Sequence, residues 1–189
     1  EFIKEACKNA IDQGKTKYVP VAGISELIDE IIKKFKNDNG LDYQKDEIIV
    51  SVGAKGVLFN AILSIVDDGE EVLLPAPYWV SYSEMIKASG GKAVLVETSI
   101  ENNFKITPKD LEKKITSKTK LLMLNSPSNP TGSIYSESEL KELADFLEDK
   151  DIIIISDEIY EQIVYDNEKH VSIASFSEKL KSKTVVING

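Results

Sequence analysis

The chain has 189 residues, a formal net charge of −9, and a composition of 42% hydrophobic and 29% charged residues. This composition is typical of a globular protein with a substantial core, in one large domain or a domain with attached segments. An acidic chain without a basic stripe disfavours nucleic-acid binding. No apolar run approaches the roughly 18 residues that span a membrane, and no signal peptide is visible, so a cytoplasmic protein is expected.

The chain has one cysteine and one histidine. Cys7 lies on the apolar side of "EFIKEACKNAI", which favours a small core residue over a reactive thiol, and a lone cysteine excludes an internal disulfide. His170 follows the charged stretch "YDNEKH" and is expected on a surface loop. With a single residue of each type, a structural zinc site is not expected, and no metal site is predicted.

The first 46 residues are predicted to be a helical segment that leads into a larger domain. Phe2 to Ile11 form a short amphipathic pattern that ends at Gly14, and Pro20 disfavours helix at the residue before it. A second helix is indicated by apolar residues at helical spacing, and "NDNG" ends it. These residues are Ile24, Leu27, Ile28, Ile31, Ile32 and Phe35.

Residues 47–189 are predicted to form an α/β domain. Six apolar segments are predicted as strands: "EIIVSVG", "EVLLP", "KAVLVET", "KLLMLNSP", "DIIIIS" and "KTVVIN". Helical patterns separate most of them, and two carry start signals: Thr107 with Pro108, and Ser136 with Glu139 in a capping box. Because the strands are continuous apolar runs, both sheet faces must be covered. This predicts a doubly wound, mostly parallel sheet.

Ligands of such sheets bind beyond the carboxyl ends of the strands, so the residues that follow each strand are the candidates. After the first strand, "SVGAKG" places the small residues Gly53, Ala54 and Gly56 at a helix start beside Lys55. Backbone N–H groups and the helix dipole make this a generic phosphate-binding turn. A tight strand–helix turn that needs glycine is an equally good interpretation.

Two further strand ends carry candidate side chains. Trp79, the only tryptophan, lies in "PAPYWVSY" and could stack on a flat ring, although its residue type alone favours a core position. In "NSPSNPTG", two prolines and a glycine constrain the loop and hold the Asn129 amide in place. That rigidity favours a function over a plain turn.

The stretch "DIIIISDEIYEQIVY" ends a buried strand with Asp157 and Glu158. An acid at the mouth of a buried strand usually meets a cation. Tyr160, three residues beyond Asp157, could reach the same cleft. Each signal is weak alone, but together a phosphate-binding turn, an indole, an amide, an acid and a phenol predict a pocket for a flat, phosphorylated, nitrogen-containing ring.

These segments resemble the class I/II aminotransferases, which are fold-type-I pyridoxal 5'-phosphate (PLP) enzymes, and most closely the prokaryotic aspartate aminotransferase group. The resemblance covers essentially the whole chain, in the family's order. It rests on "KYVPVAGISELIDEI", "SVGAKGVLFNAI", "PAPYWVSYSEMI", "NSPSNPTG", "SDEIYEQIVY" and "VVING". It implies that residues 47–189 are an incomplete PLP-binding large domain.

The resemblance also implies roles for the ring-binding residues. Asp157 pairs with the pyridinium nitrogen, while Glu158 is expected to point away from the ring. Asn129 and Tyr160 hydrogen-bond the phenolic oxygen. Trp79 stacks on the ring face, and Trp79 and Asn129 also contact the substrate.

The remaining roles concern the phosphate and the parts of the family pattern outside the chain. Gly53, Ala54 and Lys55 hold the phosphate, and Tyr18 reaches the phosphate of the partner subunit in a homodimer. In the family, the lysine that forms a Schiff base with PLP follows "NG", an antiparallel strand comes next, and a small C-terminal domain supplies an arginine. The chain stops at Gly189, so no catalytic residue is predicted within it, and the 189 residues are expected to be inactive alone.

Three functions therefore remain in view. The first is a PLP-dependent aminotransferase that moves an amino group between an amino acid, with aspartate as the expected donor, and a 2-oxo acid. The second is another fold-type-I PLP enzyme, such as a carbon–sulfur lyase or a decarboxylase-like enzyme. The third is a nucleotide-binding or purely structural α/β module, which requires the six matched motifs to be coincidental.

Overall fold

A computed structural model describes all 189 residues, which form two compact units. The smaller unit comprises residues 1–38 and 42–51, and the larger unit comprises residues 39–41 and 52–189. The division of the chain after residue 46 stays a prediction.

The smaller unit contains the two predicted helices, α1 (Phe2–Asp12) and α2 (Ser25–Asn39, whose last residue belongs to the larger unit), and a short 3-10 helix at Lys45–Glu47. The apolar face of α2 buries Ile28 and Phe35. The Tyr43 ring meets the Phe35 ring edge-on, with centroids 5.4 Å apart, which is a favourable aromatic geometry.

Cys7 is exposed, so the prediction that it is a core residue is wrong. Helix α1 buries none of its residues, and Phe2 and Ile3 remain 81% and 70% exposed. A position on the apolar side of this helix therefore does not bury the thiol.

The segment "EIIVSVG" is not a strand, so the prediction of a first strand here is wrong. Its backbone is held instead by the Val50 N–H, which donates to the Ala22 carbonyl at 2.9 Å. Ile49 and Val52 are 73% and 92% exposed. A β-strand needs a neighbouring strand to satisfy its backbone groups, and no strand of the sheet pairs with this segment.

The larger unit is built on five parallel strands in the order β2-β1-β3-β4-β5, one strand fewer than the sequence predicted. The strands are β1 (Glu71–Ala76), β2 (Lys92–Glu97), β3 (Thr119–Asn125), β4 (Ile153–Asp157) and β5 (Thr184–Ile187). The helices are α3 (Gly53–Ile65), α4 (Ser81–Ala88), α5 (Pro108–Glu112), α6 (Glu137–Glu148) and α7 (Glu178–Lys181), with 3-10 turns at Ile100–Asn102 and Ile173–Phe176. No helix is both long and apolar enough to cross a membrane.

Helices cover both faces of this sheet, as the continuous apolar strands predicted. Successive strand residues point to opposite faces, so Leu121 and Met123 pack in the cluster that contains residues of α3 and α4. Leu122 and Leu124 pack in the other cluster, with residues of α5 and α6. The doubly wound architecture is thereby confirmed.

Both predicted helix starts are confirmed. The Ser136 hydroxyl accepts a hydrogen bond from the Glu139 N–H at 3.3 Å, and the Glu139 carboxylate accepts from the Ser136 N–H at 2.8 Å. Thr107 and Asp110 form the same reciprocal cap at the start of α5, with Pro108 at its first position. These caps satisfy backbone donors that have no partner within the helix.

Gly91 precedes β2 at a point where the backbone packs closely on neighbouring side chains. A Cβ atom there would lie 2.6 Å from Val66 Cγ1 and 3.3 Å from Ile86 Cγ2. We expect Gly91→Ala to lower the free energy of unfolding by about 2 kcal/mol, because the core must shift to admit a methyl group. Urea denaturation measures this change.

Gly56→Ala is the control, because a Cβ at this helical position meets no heavy atom within 4 Å. Alanine is the better helix former, so this variant should be more stable than the wild type by about 0.5–1 kcal/mol. Equal destabilisation by the two substitutions would show that packing around Gly91 is not limiting.

Candidate active site

A cavity of about 200 Å³ opens at the carboxyl edge of the sheet, beside the ends of β3 and β4 and the start of α3. Six of the residues predicted from the sequence line it: Ala54, Lys55, Trp79, Asn129, Asp157 and Tyr160. Gly53 immediately precedes this set at the first position of α3. Tyr18 belongs to the smaller unit and is fully exposed.

The start of α3 offers an anion-binding end to the cavity. Gly53 has φ of +66°, a conformation that favours glycine, and it lets the chain turn directly into the helix. The N-cap residue Val52 makes no side-chain cap, and the first turn carries no acidic residue. Its N–H groups, the positive end of the helix dipole and the Lys55 ammonium therefore favour a bound phosphate.

Asp157 supplies a buried acid. It is the last residue of β4 and only 3% exposed. Its Oδ2 accepts a hydrogen bond from the Tyr82 hydroxyl at 2.5 Å, and its Oδ1 accepts from the Ile159 N–H at 3.2 Å. Burial raises the pKa of Asp157 above its usual value, the Glu158 charge adds to that rise, and the two hydrogen bonds oppose it. A cation placed against this carboxylate would relieve the cost of burying its charge.

The aromatic face of the cavity is formed by Trp79, which is half-buried. Its ring packs edge-on against Tyr82, with centroids 5.4 Å apart, and the Lys55 ammonium lies 4.8 Å from its centroid. Sequence reasoning missed Tyr82 as a site residue. Its spacing of three residues from Trp79 was the available signal, because the turn that leads into α4 brings the two residues together, with the Tyr82 N–H donating to the Trp79 carbonyl at 3.0 Å.

The Tyr82 phenol acts as a hydrogen-bond donor to Asp157. Burial, together with the adjacent Asp157 charge, raises the pKa of Tyr82 far above the usual phenol value, so the hydroxyl stays protonated. The acid is thus held in one orientation before any ligand binds.

Asn125, which sequence reasoning also missed, ties the proline loop to β4. Its side-chain amide donates to the carbonyls of Pro127 and Asp157 at 3.1 and 2.9 Å. Its side-chain oxygen accepts from the Asn129 N–H at 2.8 Å. The Asn129 amide lies 3.5 Å from the Tyr160 hydroxyl, so two polar groups face the cavity together. The position of Asn125 as the last residue of β3 was the only signal of this role in the sequence.

Glu158 is buried and makes its contacts with Ser156, Ser172 and His170. The expectation that His170 lies on a surface loop is wrong, because its side chain is only 8% exposed and its Nε2 lies 2.9 Å from Glu158 Oε2. The charged stretch before it is a loop that returns to the protein interior. Glu161 also lies near, and possible ligand atoms of these three residues are within 4.8 Å of one another.

The raised pKa of Asp157 predicts how the stability of the ligand-free protein changes with pH. The folded protein keeps the proton at pH values where the unfolded chain, with a pKa near 3.8, has lost it. The contribution of Asp157 to the free energy of unfolding therefore decreases as pH rises above about 4. We expect Asp157→Asn to become progressively more stable, relative to the wild type, between about pH 4 and pH 7.

Urea denaturation of both proteins across this pH range measures the difference. Comparing the two proteins is necessary because other carboxylates, such as Asp110 and Glu139, have lowered pKa values and act in the opposite direction. A stability difference that is constant or shrinks with pH would contradict the assigned state of Asp157.

Fold and cavity together define a class of protein: a doubly wound α/β domain that can bind a flat, anionic heterocycle at its carboxyl edge. The groups that line the cavity would suit such a ligand: an anion-binding helix start for a phosphate, Trp79 for a flat ring, Asp157 for a ring nitrogen, and Asn129 and Tyr160 for a ring oxygen. PLP has all of these features, and the donor set fits it.

Comparison with known proteins identifies the family. The sequence model of the family "Aminotransferase class I and II" matches residues 1–189, and the chain belongs to this family. It is 50% identical over 189 residues to the aspartate aminotransferase of Geobacillus stearothermophilus, and 49% identical over 188 residues to the probable aspartate/prephenate aminotransferase of Aquifex aeolicus. Each match covers 100% of the chain and 48% of the relative, so the chain spans about half the length of these relatives.

Solved structures of aminotransferases superpose closely on this chain. The aspartate aminotransferase from Thermus thermophilus with maleate superposes with a TM-score of 0.94 at 43% identity, covering 99% of this chain and 48% of that one. An aromatic aminotransferase from Pyrococcus horikoshii superposes with a TM-score of 0.96 at 41% identity, covering 100% of this chain and 50% of that one. Aspartate aminotransferases of this family use PLP.

Proposed function

We propose that this chain is part of a PLP-dependent aminotransferase that moves an amino group between aspartate and a 2-oxo acid. The observation that carries the proposal is the cavity that brings Lys55, Trp79, Asn129, Asp157 and Tyr160 to one edge of the sheet. Aspartate is the proposed donor because two relatives that each share about half of their aligned residues with the chain are named for aspartate.

Each residue of the cavity has a proposed task. The N–H groups of Gly53 and Ala54 and the Lys55 ammonium hold the phosphate. The Asp157 carboxylate accepts a hydrogen bond from the protonated ring nitrogen and so stabilises its proton. The Tyr82 hydroxyl holds Asp157 in place. When bound, PLP supplies an electron sink for the substrate α-carbon, and its ring is a better sink when that nitrogen is protonated.

The other side of the ring is assigned to polar and aromatic groups. Asn129 and Tyr160 donate hydrogen bonds to the ring oxygen, while Trp79 covers one face and excludes water from it. Trp79 and Asn129 also contact the substrate. None of these groups is assigned to proton transfer, because Lys55, the one lysine lining the cavity, belongs to the phosphate turn.

The domain organisation is part of the proposal. Residues 1–46 are the N-terminal helical segment, and residues 47–189 are part of the PLP-binding large domain. The enzyme acts as a homodimer in which Tyr18 reaches the partner's phosphate, and the complete exposure of Tyr18 in this chain supports that role. The 189 residues alone do not transfer amino groups, because no cavity residue supplies the lysine that the chemistry requires.

Trp79 provides a direct test of cofactor binding, because it is the only tryptophan in the chain. Titration with PLP should quench its fluorescence to saturation, and Lys55→Ala should weaken the binding because the phosphate loses a charge partner. The matched control is Lys87→Ala, which removes a lysine from the last turn of α4. Unchanged fluorescence at saturating PLP would overturn the assignment of the cavity.

Amino transfer is tested in the whole enzyme that contains this chain. Aspartate and 2-oxoglutarate should be turned over faster than aromatic amino acids, and release of pyruvate, ammonia and a thiol from a cysteine S-conjugate should be slow. Elimination faster than transfer would favour a carbon–sulfur lyase instead. Borohydride reduction of the 189-residue chain with PLP should give no stoichiometric phosphopyridoxyl adduct on any one lysine.

A further inference from the structure

Glu158 is a fully buried carboxylate directly beside the acid of the cavity, with 0% of its surface exposed. Its Oε1 accepts hydrogen bonds from the Ser156 hydroxyl at 2.8 Å and the Ser172 hydroxyl at 2.6 Å. Its Oε2 lies 2.9 Å from His170 Nε2. Three donors thus hold a carboxylate that does not line the cavity and has no part in the proposed chemistry.

The contact with His170 is a hydrogen bond between the imidazole Nε2 and Glu158 Oε2. His170 Nδ1 is buried and has no hydrogen-bond partner. A protonated imidazole would bury an unsatisfied N–H at that atom, so the tautomer with its proton on Nε2 is favoured. Two ligands of one zinc ion lie roughly 3.3 Å apart, so the 2.9 Å separation also fits a shared proton better than a metal.

It follows that the negative charge of Glu158 is satisfied by hydrogen bonds but is not neutralised by a cation. Hydrogen bonds from the two serine hydroxyls satisfy the carboxylate without adding a positive charge, and in a dry region a charge acts strongly on neighbouring groups. Burial is the main cause that raises the pKa of Asp157, and the charge of Glu158 is a smaller cause that acts in the same direction.

Building on the proposed function, we propose that Glu158 is a positioning residue for the cofactor, whose buried charge acts through Asp157 to favour the protonated ring nitrogen. Two adjacent anions hold that proton more strongly than one. The other ionisable groups around Asp157 are the phenols of Tyr82 and Tyr160 and the ammonium of Lys55. Lys55 is exposed, so its charge is screened.

The first experiment measures the pH titration of the Asp157 carboxyl group in the ligand-free protein. The ¹³C chemical shift of its side-chain carboxyl group is followed against pH in the wild type and in Glu158→Gln. Glutamine keeps the shape of the side chain and can accept from both serines. Removing the neighbouring charge should lower the titration midpoint of Asp157.

Glu161→Gln is the matched control. It removes a negative charge that is also buried, at 8% exposure, from a residue that is bound by the Asn39 amide and does not adjoin Asp157. Its effect on the Asp157 midpoint should be less than half as large. An unchanged midpoint in Glu158→Gln, or equal shifts in the two variants, would overturn the proposal.

His170→Lys gives an independent test if Glu158→Gln does not fold. An ammonium placed against Glu158 offsets its charge, so the Asp157 midpoint should again fall. An unchanged midpoint in a folded His170→Lys protein would also overturn the proposal.

The last measurement connects this charge to the cofactor. In protein saturated with PLP labelled with ¹⁵N in the ring, the nitrogen shift reports its protonation directly. The ring nitrogen should lose its proton at lower pH in Glu158→Gln than in the wild type. Failure of the wild-type protein to bind PLP would refute the proposed function. The effect of the Glu158 charge on Asp157 would then be decided by the Asp157 titration alone. Normal binding with identical nitrogen titrations would refute the role of Glu158 alone.

Discussion

Asp157→Asn is expected to reduce amino transfer by the whole enzyme on the order of 10²- to 10³-fold, mainly in kcat. The carboxylate lies buried at the end of β4 and lines the cavity, and its proposed role is to stabilise a protonated ring nitrogen. Asparagine retains the size of the side chain but not its charge. Steady-state kinetics with aspartate and 2-oxoglutarate measure the change.

Asp145→Asn on the exposed surface of α6 is the control, since its side chain is 62% exposed. It should leave kcat within about twofold of the wild type, as expected for a surface substitution. The Asp157→Asn protein should remain folded, because asparagine also fits the pocket beneath Tyr82. Normal turnover in that variant would remove Asp157 from the site.

Ile154→Ala is expected to lower the free energy of unfolding by about 3 kcal/mol. Ile154 is completely buried in β4, in the same cluster as Leu122 and Leu143. Truncation removes the burial of three carbon atoms and leaves a cavity that the rigid strand does not close. Chemical denaturation of the wild type and the variant gives the difference directly.

Ile100→Ala is the comparison for that core substitution. Ile100 is 70% exposed, so the same truncation should cost less than about 0.5 kcal/mol. A similar loss at both positions would mean that the sheet core does not limit stability. Loss of PLP affinity in Ile154→Ala, without unfolding, would show that β4 also fixes the position of Asp157.

The sequence predicted those features of the fold that depend on local pattern and burial. The runs around Leu122 and Ile154 are too apolar for an exposed face, so they specified strands covered on both sides. The pair Ser136 and Glu139 specified a helix start. Because the residues after each strand meet at one edge of a parallel sheet, the grouping of Asn129 with Asp157 also followed from the order of the elements.

The remaining features depend on partners that are distant in the sequence. "EIIVSVG" has the composition of a strand, but strand formation requires a pairing partner and composition does not reveal one. His170 follows charged residues, yet the loop that carries it folds back to Glu158, twelve residues earlier. Tyr82 and Asn125 were missed because their roles come from side-chain contacts across the sheet, with Asp157 and with the loop at Asn129.

The order of the strands has a consequence for how the chain folds as it is synthesised. After β1 and β2 pair, each later strand adds to the same growing edge in the order β3, β4, β5. Domains fold from the N-terminus as the ribosome delivers them, so this sheet can extend without displacing a strand already in place. The cavity takes shape only once β4 has docked, because Asp157 and Tyr160 come with it. PLP therefore cannot assist the pairing of β1, β2 and β3, and a nascent chain that ends before Asp157 should not bind it.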